Sequence, residues 1–229
     1  MNENRTNINW YPGHMLKTKK QIIEDLKLID VVVELLDARI PKSSRNPDIQ
    51  KIVQNKKRIV LLNKSDLAED RETKKWIEYY KNNNVTAIAC DANLGKGIKE
   101  ILNQIEKSVE EETQKAALKG RVKKNIRVVI LGIPNVGKSS LINRLCNKKT
   151  TIVGNKPGVT KQKQWVRIAN NIELLDTPGV LWPKFEDETV ALNLAYTGSI
   201  KDEVLETIEV AFKLLIYLYN NYKANLLER

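Results

Sequence analysis

The segment Gly132-Ile133-Pro134-Asn135-Val136-Gly137-Lys138-Ser139 constrains this chain more than any other. It fits the pattern G-x-x-x-x-G-K-[ST], directly after an apolar strand-like run and directly before a helical pattern. There the glycines let the backbone curl until successive N–H groups face a phosphate chain, a helix N-terminus adds the positive end of its dipole, and Lys138 supplies a mobile cation. Pro134, Asn135, Val136, Gly137, Lys138, Ser139 and Ser140 are therefore the candidate phosphate-binding residues, with Ser139 the candidate ligand of Mg²⁺. The surrounding pattern agrees: short β-branched runs alternate with longer helical ones, which predicts an α/β fold around a mainly parallel sheet.

The strands are expected at Val31 to Leu36, Arg58 to Leu62, Thr86 to Cys90, Arg127 to Leu131, Gln164 to Ile168 and Ile172 to Leu175. Helices are expected at about Met15 to Leu28, Asn46 to Gln54, Arg71 to Asn82, Gly97 to Glu111 and Lys138 to Leu145. Glu110 to Lys124 turns from acidic to basic around Gly120 and reads as a surface connector between two halves of the sheet. After Gly179 the pattern is helical, with Leu205, Ile208, Phe212, Leu215 and Tyr219 at spacings of three and four. The expected division is 1–183 for the catalytic domain and 184–229 for a helical appendage.

Asn63-Lys64-Ser65-Asp66 ends the second strand, far ahead of the phosphate loop. A carboxylate in such a turn can accept both N1–H and the 2-amino group of guanine, whereas adenine offers neither donor there, so Asp66 favours GTP over ATP. Asp91-Ala92-Asn93 follows the third strand, and its backbone is placed to support the base from the other side. Asp176-Thr177-Pro178-Gly179 follows the last strand, which puts Asp176 on the Mg²⁺ shell and the Gly179 amide near the γ-phosphate. Between the phosphate loop and this motif, the loop from Val153 to Lys161 lacks periodicity, and Thr160 is its candidate to close over Mg²⁺ and the γ-phosphate.

Charge speaks to partners. The 39 Lys and Arg against 28 Asp and Glu leave +11, which points to a polyanion. The basic residues gather at Lys17, Lys19 and Lys20, at Lys119, Arg121, Lys123, Lys124 and Arg127, and at Lys156, Lys161, Lys163 and Arg167. The first ten residues are polar and no apolar run approaches the roughly 18 residues of a membrane span. Cys90 and Cys146 make neither a disulfide framework nor a metal cluster, so a soluble protein of the cytoplasm is expected.

Taken with Trp10-Tyr11-Pro12-Gly13-His14-Met15, Asp37-Ala38-Arg39-Ile40-Pro41, Pro157-Gly158-Val159-Thr160 and Asp176-Thr177-Pro178-Gly179-Val180, the chain resembles the circularly permuted Ras-like GTPases of the YlqF type, the ribosome biogenesis GTPase A family. The resemblance covers nearly its whole length. It implies a P-loop GTPase fold whose base-recognition and phosphate blocks have exchanged order, joined through the connector.

Ras-like enzymes commonly carry a Gln after the D-x-x-G glycine to orient the attacking water, and this chain has Val180, which cannot. The resemblance implies His14, the single histidine, as the catalytic group beside Lys138 and Thr160; neutral imidazole and imidazolium both remain open, as does a merely structural role. It also implies that Asn135 helps ligate K⁺ beside the phosphates, and that the partner is the large ribosomal subunit and its rRNA, met by a monomer. The family carries a longer C-terminal helical domain, whereas 50 residues (229 − 179) follow Gly179 here. Two other readings are a regulatory GTP-binding module that recruits a protein with little hydrolysis, and a P-loop ATPase, against which Asp66 argues.

Overall fold

The computed structural model describes residues 14–120, 125–146, 164–169, 171–176, 187–200 and 206–228. Six strands form one sheet: β1 (Val31–Asp37), β2 (Lys57–Asn63), β3 (Thr86–Ala89), β4 (Ile126–Gly132), β5 (Gln164–Ala169) and β6 (Ile172–Asp176), in the order β3-β2-β1-β4-β6-β5. All pairs are parallel except β5 with β6. A parallel sheet covered on both faces needs strands that are apolar throughout. β1 meets that demand: every one of its residues is buried, Val31 to Leu36 apolar but for Glu34.

Alternation along the strands sorts the helices. On one face Val33, Leu35, Val128 and Ile130 pack with Ile101 and Ile105 of α4 (Ile98–Ser108) and with Leu141, Ile142 and Leu145 of α6 (Lys138–Leu145). On the other, Val32, Val129 and Leu131 meet Ile22 of α1 (His14–Asp25) and Ile49 and Val53 of α2 (Pro47–Val53), while Leu36, Val60 and Leu62 meet Tyr80 of α3 (Asp70–Asn82). Each fully buried Leu or Ile contributes about 1.5–3 kcal/mol. Local signals set the ends: Asn46 caps α2 by accepting from the Asp48 and Ile49 N–H groups at 2.9 and 3.3 Å, with Pro47 as first residue.

The expected strands are all present, each within a residue of its bounds at either end. The connector differs: it contains a helix, α5 (Glu110–Leu118), whose described side chains are exposed. Glu-Glu-Glu in its first turn suits the helix dipole, and Lys115 lies 3.8 Å from Glu111 one turn back. The helical end also divides. α7 (Glu188–Tyr196) places Ala191 and Leu194 in the core of the α4–α6 face. α8 (Thr207–Asn221), which is followed by α9 (Lys223–Leu227), buries nothing, and Ile208, Phe212, Leu215 and Tyr219 stand on its exposed surface. Among the described residues no helix is long and apolar enough to cross a membrane.

Chain order runs β1 to β3 in one direction across the sheet and from β4 in the other. The reversal falls between β1 and β4, which pair Leu35 with Gly132 at their carboxyl ends. Ligands of open α/β sheets bind in the crevice outside such a switch point.

Candidate functional site

The phosphate loop leaves β4 at that crevice and enters α6. Two of its glycines are required by close approach. A Cβ on Gly132 would sit 2.7 Å from the Leu35 carbonyl oxygen, and one on Gly137 would run into the amide nitrogen of Asn63. Gly137 also holds φ at +100°. The buried Lys138 side chain folds back over the loop, its Nζ donating to the Ile133 carbonyl at 3.3 Å. Pro134 and Val136 are buried, whereas Asn135, Ser139 and Ser140 are partly open at the rim.

The base motif meets this loop directly. Asn63, the last residue of β2, donates from Nδ2 to the Val136 carbonyl at 2.8 Å and accepts on Oδ1 from the Ala92 N–H at 3.0 Å. Lys64, at φ +60°, donates from Nζ to the Asn135 carbonyl at 2.9 Å. The same ammonium lies 3.0 Å from the buried carboxylate of Asp37, which Arg39 grips with Nε and Nη2 at 2.9 and 2.7 Å. Burial pushes the Asp37 carboxyl up, but the Arg39 hydrogen bonds and the Lys64 charge outweigh it and hold the group below the ordinary carboxylate value. Asp66 is exposed in the short turn Ser65–Leu67.

Asp91 organises its own loop. Its Oδ1 accepts from the N–H groups of Asn93 and Leu94 at 2.7 and 3.0 Å, which folds the loop so that Ala92 faces Asn63. Arg144, near the end of α6, reaches the same loop and donates to the carbonyls of Ala92 (3.4 Å) and Asn93. The helix that leaves the Gly132 to Gly137 loop thus ends against the loop after β3.

Asp37, Arg39 and Arg144 carry roles that no motif of the sequence assigns to them. Asp37 was detectable in principle, since it ends its strand as Asn63 ends β2, and the two pair in register. Arg144 carried no local signal, because its contact spans 51 residues of sequence. Asp176 closes β6, whose register to β4 puts it at the same carboxyl edge. The side chains of His14 and Asp176, and the whole of Thr160 and Gly179, lie outside the described residues. Of the basic tracts, Arg127 is engaged internally, 3.8 Å from Glu173 and over the Trp165 ring at 5.1 Å.

The donor set suits Mg²⁺ held mostly by phosphates. The described residues contain no cluster of three or more His, Cys, Asp or Glu able to cage a metal. They do offer the Ser139 hydroxyl in the first turn of α6, while β6 ends in Asp176. One hydroxyl, one carboxylate and substrate oxygens are the usual mixture for this reluctantly dehydrating ion.

Comparison with known proteins agrees with this geometry. Residues 127–226 match the family described as "50S ribosome-binding GTPase". Ribosome biogenesis GTPase A of Priestia megaterium is 52% identical over 97% of this chain and 77% of its own length; that of Bacillus cereus is 50% identical over 97% and 75%. Among solved structures, GNP-bound YlqF from T. maritima superposes with a TM-score of 0.65 at 30% identity, covering 89% of this chain and 75% of that one. The GDP-bound form gives 0.60, covering 83% and 70%. With the base turn and the phosphate loop joined on one sheet edge in permuted order, the chain belongs to the ribosome biogenesis GTPase A family of GTP-hydrolysing enzymes.

Proposed function

We propose that this GTPase is an assembly factor for the large ribosomal subunit, which docks on ribosomal RNA with GTP and departs after hydrolysis. The particle stimulates a reaction that is slow on the isolated enzyme. The observation that supports the reading is the double joint of Asn63 to Val136 and Lys64 to Asn135. It fixes the distance between a guanine acceptor, Asp66, and a phosphate cradle, and a rigid spacing of that kind selects one nucleotide. The relatives are named as ribosome biogenesis GTPases and the matching family is described as binding the 50S particle.

In this reading the loop from Pro134 to Ser140 wraps the phosphates with backbone N–H groups and the N-terminus of α6. Lys138 leaves the Ile133 carbonyl to neutralise the β- and γ-phosphate oxygens. Ser139, Thr160 and Asp176 would hold Mg²⁺, which when bound would supply positive charge against the phosphate oxygens. Asn135 contributes to a K⁺ site, Gly179 senses the γ-phosphate, and His14 orients the attacking water or stabilises charge on the phosphoryl group. Asp66 reads guanine, with Asn93 and Ala92 beside it in the loop that Asp91 folds.

The division we propose is a GTPase domain over 1–183 and a helical region over 184–229, working as a monomer in the cytoplasm. The basic tracts supply RNA phosphate contacts, so affinity falls steeply with salt.

The central test is a pelleting assay with purified large subunits, in GDP and in a non-hydrolysable GTP analogue, paired with turnover in the presence of either subunit. Retention in the analogue, with turnover raised by large subunits only, is the expected result. No stimulation would leave the regulatory module as the better reading. His14→Ala with unchanged stimulated turnover removes the histidine from the mechanism, and equal rates in KCl and NaCl remove K⁺.

A further inference from the structure

The phosphate loop is also held from outside, by the helical end of the chain. Asn135 donates from Nδ2 to the Gly198 carbonyl at 2.6 Å. Gly198 ends α7 at φ +71°; its N–H donates to Ala195 and that of Ser199 to Leu194, at 3.0 and 2.8 Å, the paired bonds with which a helix closes on a left-handed residue.

The turn is fixed on both flanks. Ser199 is 2% exposed, and Ile200 is buried in the core of the α4–α6 face. On the helix side, Asn193 donates from Nδ2 to the Ser43 hydroxyl at 3.0 Å, in the loop whose next residue, Ser44, accepts the Asp37 N–H. The Gly198 carbonyl is therefore not free to follow Asn135; Asn135 must conform to it.

A carbonyl oxygen can only accept, so it selects the orientation in which Asn135 turns its amide nitrogen to Gly198 and its oxygen away. Lys64 meanwhile grips the Asn135 main-chain carbonyl at 2.9 Å. Held by side chain and main chain together, the residue keeps φ at +58°, a left-handed conformation that surrounding structure must sustain.

We propose that the Gly198 turn is a positioning element of the phosphate loop, which fixes the Asn135 side chain and through it couples α7 to GTP turnover. A partner that takes hold of the helical end and shifts α7 reaches the nucleotide through this contact.

The test uses the space around the glycine. A Cβ at Gly198 has nothing within 4 Å, so only its φ is demanding. Gly198→Val cannot hold the left-handed turn and displaces the carbonyl, whereas Gly198→Asn tolerates it. Both are made in the full chain and in an Asn135→Ala background, reading single-turnover hydrolysis and GDP dissociation. Gly198→Val should slow turnover or speed GDP release on the order of tenfold, Gly198→Asn should stay within about twofold, and the valine should add nothing once Asn135 is alanine. Effects that multiply in the double variant, or a valine variant within about twofold of the parent, overturn the proposal. Should Gly198→Val not fold, Asn193→Ala loosens α7 without touching the turn and enters the same cycle under the same criteria.

Discussion

The two halves of the sheet meet at one edge but divide their labour differently. In the base half, the framework residue and the candidate recognition residue are separate. Asn63 is 2% exposed and spends its amide on Val136 and Ala92, while Asp66, three positions on, stands exposed in its turn. In the phosphate half, single residues serve both ends. Lys138 braces the loop through the Ile133 carbonyl and is its candidate phosphate cation; Asn135 carries the Lys64 and Gly198 contacts and faces the rim. Substitutions should thus separate stability from specificity in the base half and confound them in the phosphate half.

The largest effect is expected at Lys138. Lys138→Ala removes the cation and strips the Ile133 carbonyl of a donor, and turnover at saturating GTP should fall on the order of 10²–10³-fold. Stability should fall in the same variant. A single-turnover assay beside a urea melt decides it: turnover within tenfold of the parent would exclude the role.

The base half should split cleanly. Asn63→Ala leaves the buried Val136 carbonyl and Ala92 N–H unpaired, at about 1–3 kcal/mol of stability, with nucleotide affinity lost as a by-product. Asp66→Asn should leave the melt within about 0.5 kcal/mol, yet weaken GTP binding on the order of a hundredfold and improve binding of xanthosine triphosphate, whose C2 carbonyl accepts from an amide. Parallel melts and competition titrations check both. An Asp66→Asn protein that still prefers guanine would break the comparison.

Acid sharpens it further, because two carboxyls three residues apart on β1 carry opposite signs. Asp37 titrates below its ordinary value, so the stability it contributes is present above the unfolded pKa of about 3.9 and lost as pH falls through the folded one. Burial raises Glu34 above its ordinary value, with Arg45 and Arg58 at 3.5 and 3.7 Å offsetting only part. Its ionised form therefore detracts from stability, which is recovered as pH falls through the raised pKa towards 4.5. Glu34→Gln should erase that recovery, and Asp37→Asn should flatten the more acid limb. Identical pH–stability curves for parent and Glu34→Gln contradict the assignment.

The fold was legible because parallel strands buried on both faces leave unbroken apolar runs, so β1, β2 and β4 declared themselves, and the loop after β4 declared its own chemistry. α5 was missed because an acidic, exposed helix has no apolar stripe; only its propensity and pairs such as Lys115 with Glu111 mark it. α7 and α8 look alike in sequence, and nothing local says that Ala191 and Leu194 are buried while Phe212 is not. At the site edge, Asn63 and Asp176 were placeable because each ends a strand that reads as an apolar run. The braces were not: Arg144 and Gly198 act on residues 51 and 63 positions away.

Arg144 offers the smallest and most selective break. It joins the halves from the phosphate side, through carbonyls of the loop that Asp91 folds, and its side chain lies 3.3 Å from where a Cβ on Gly95 would stand. Because its guanidinium is exposed, each hydrogen bond contributes no more than about 0.5–1.5 kcal/mol net. Arg144→Gln keeps the aliphatic stem but withdraws the fork from the Ala92 and Asn93 carbonyls. The base loop then loosens while the phosphate loop, braced by Asn63 and Lys64, does not. GDP dissociation should quicken about threefold with the hydrolysis step unchanged within error, since only binding common to ground and transition states is lost. A matching fall in the hydrolysis step would mean that Arg144 braces both halves, and the division of labour drawn above would have to be redrawn around α6.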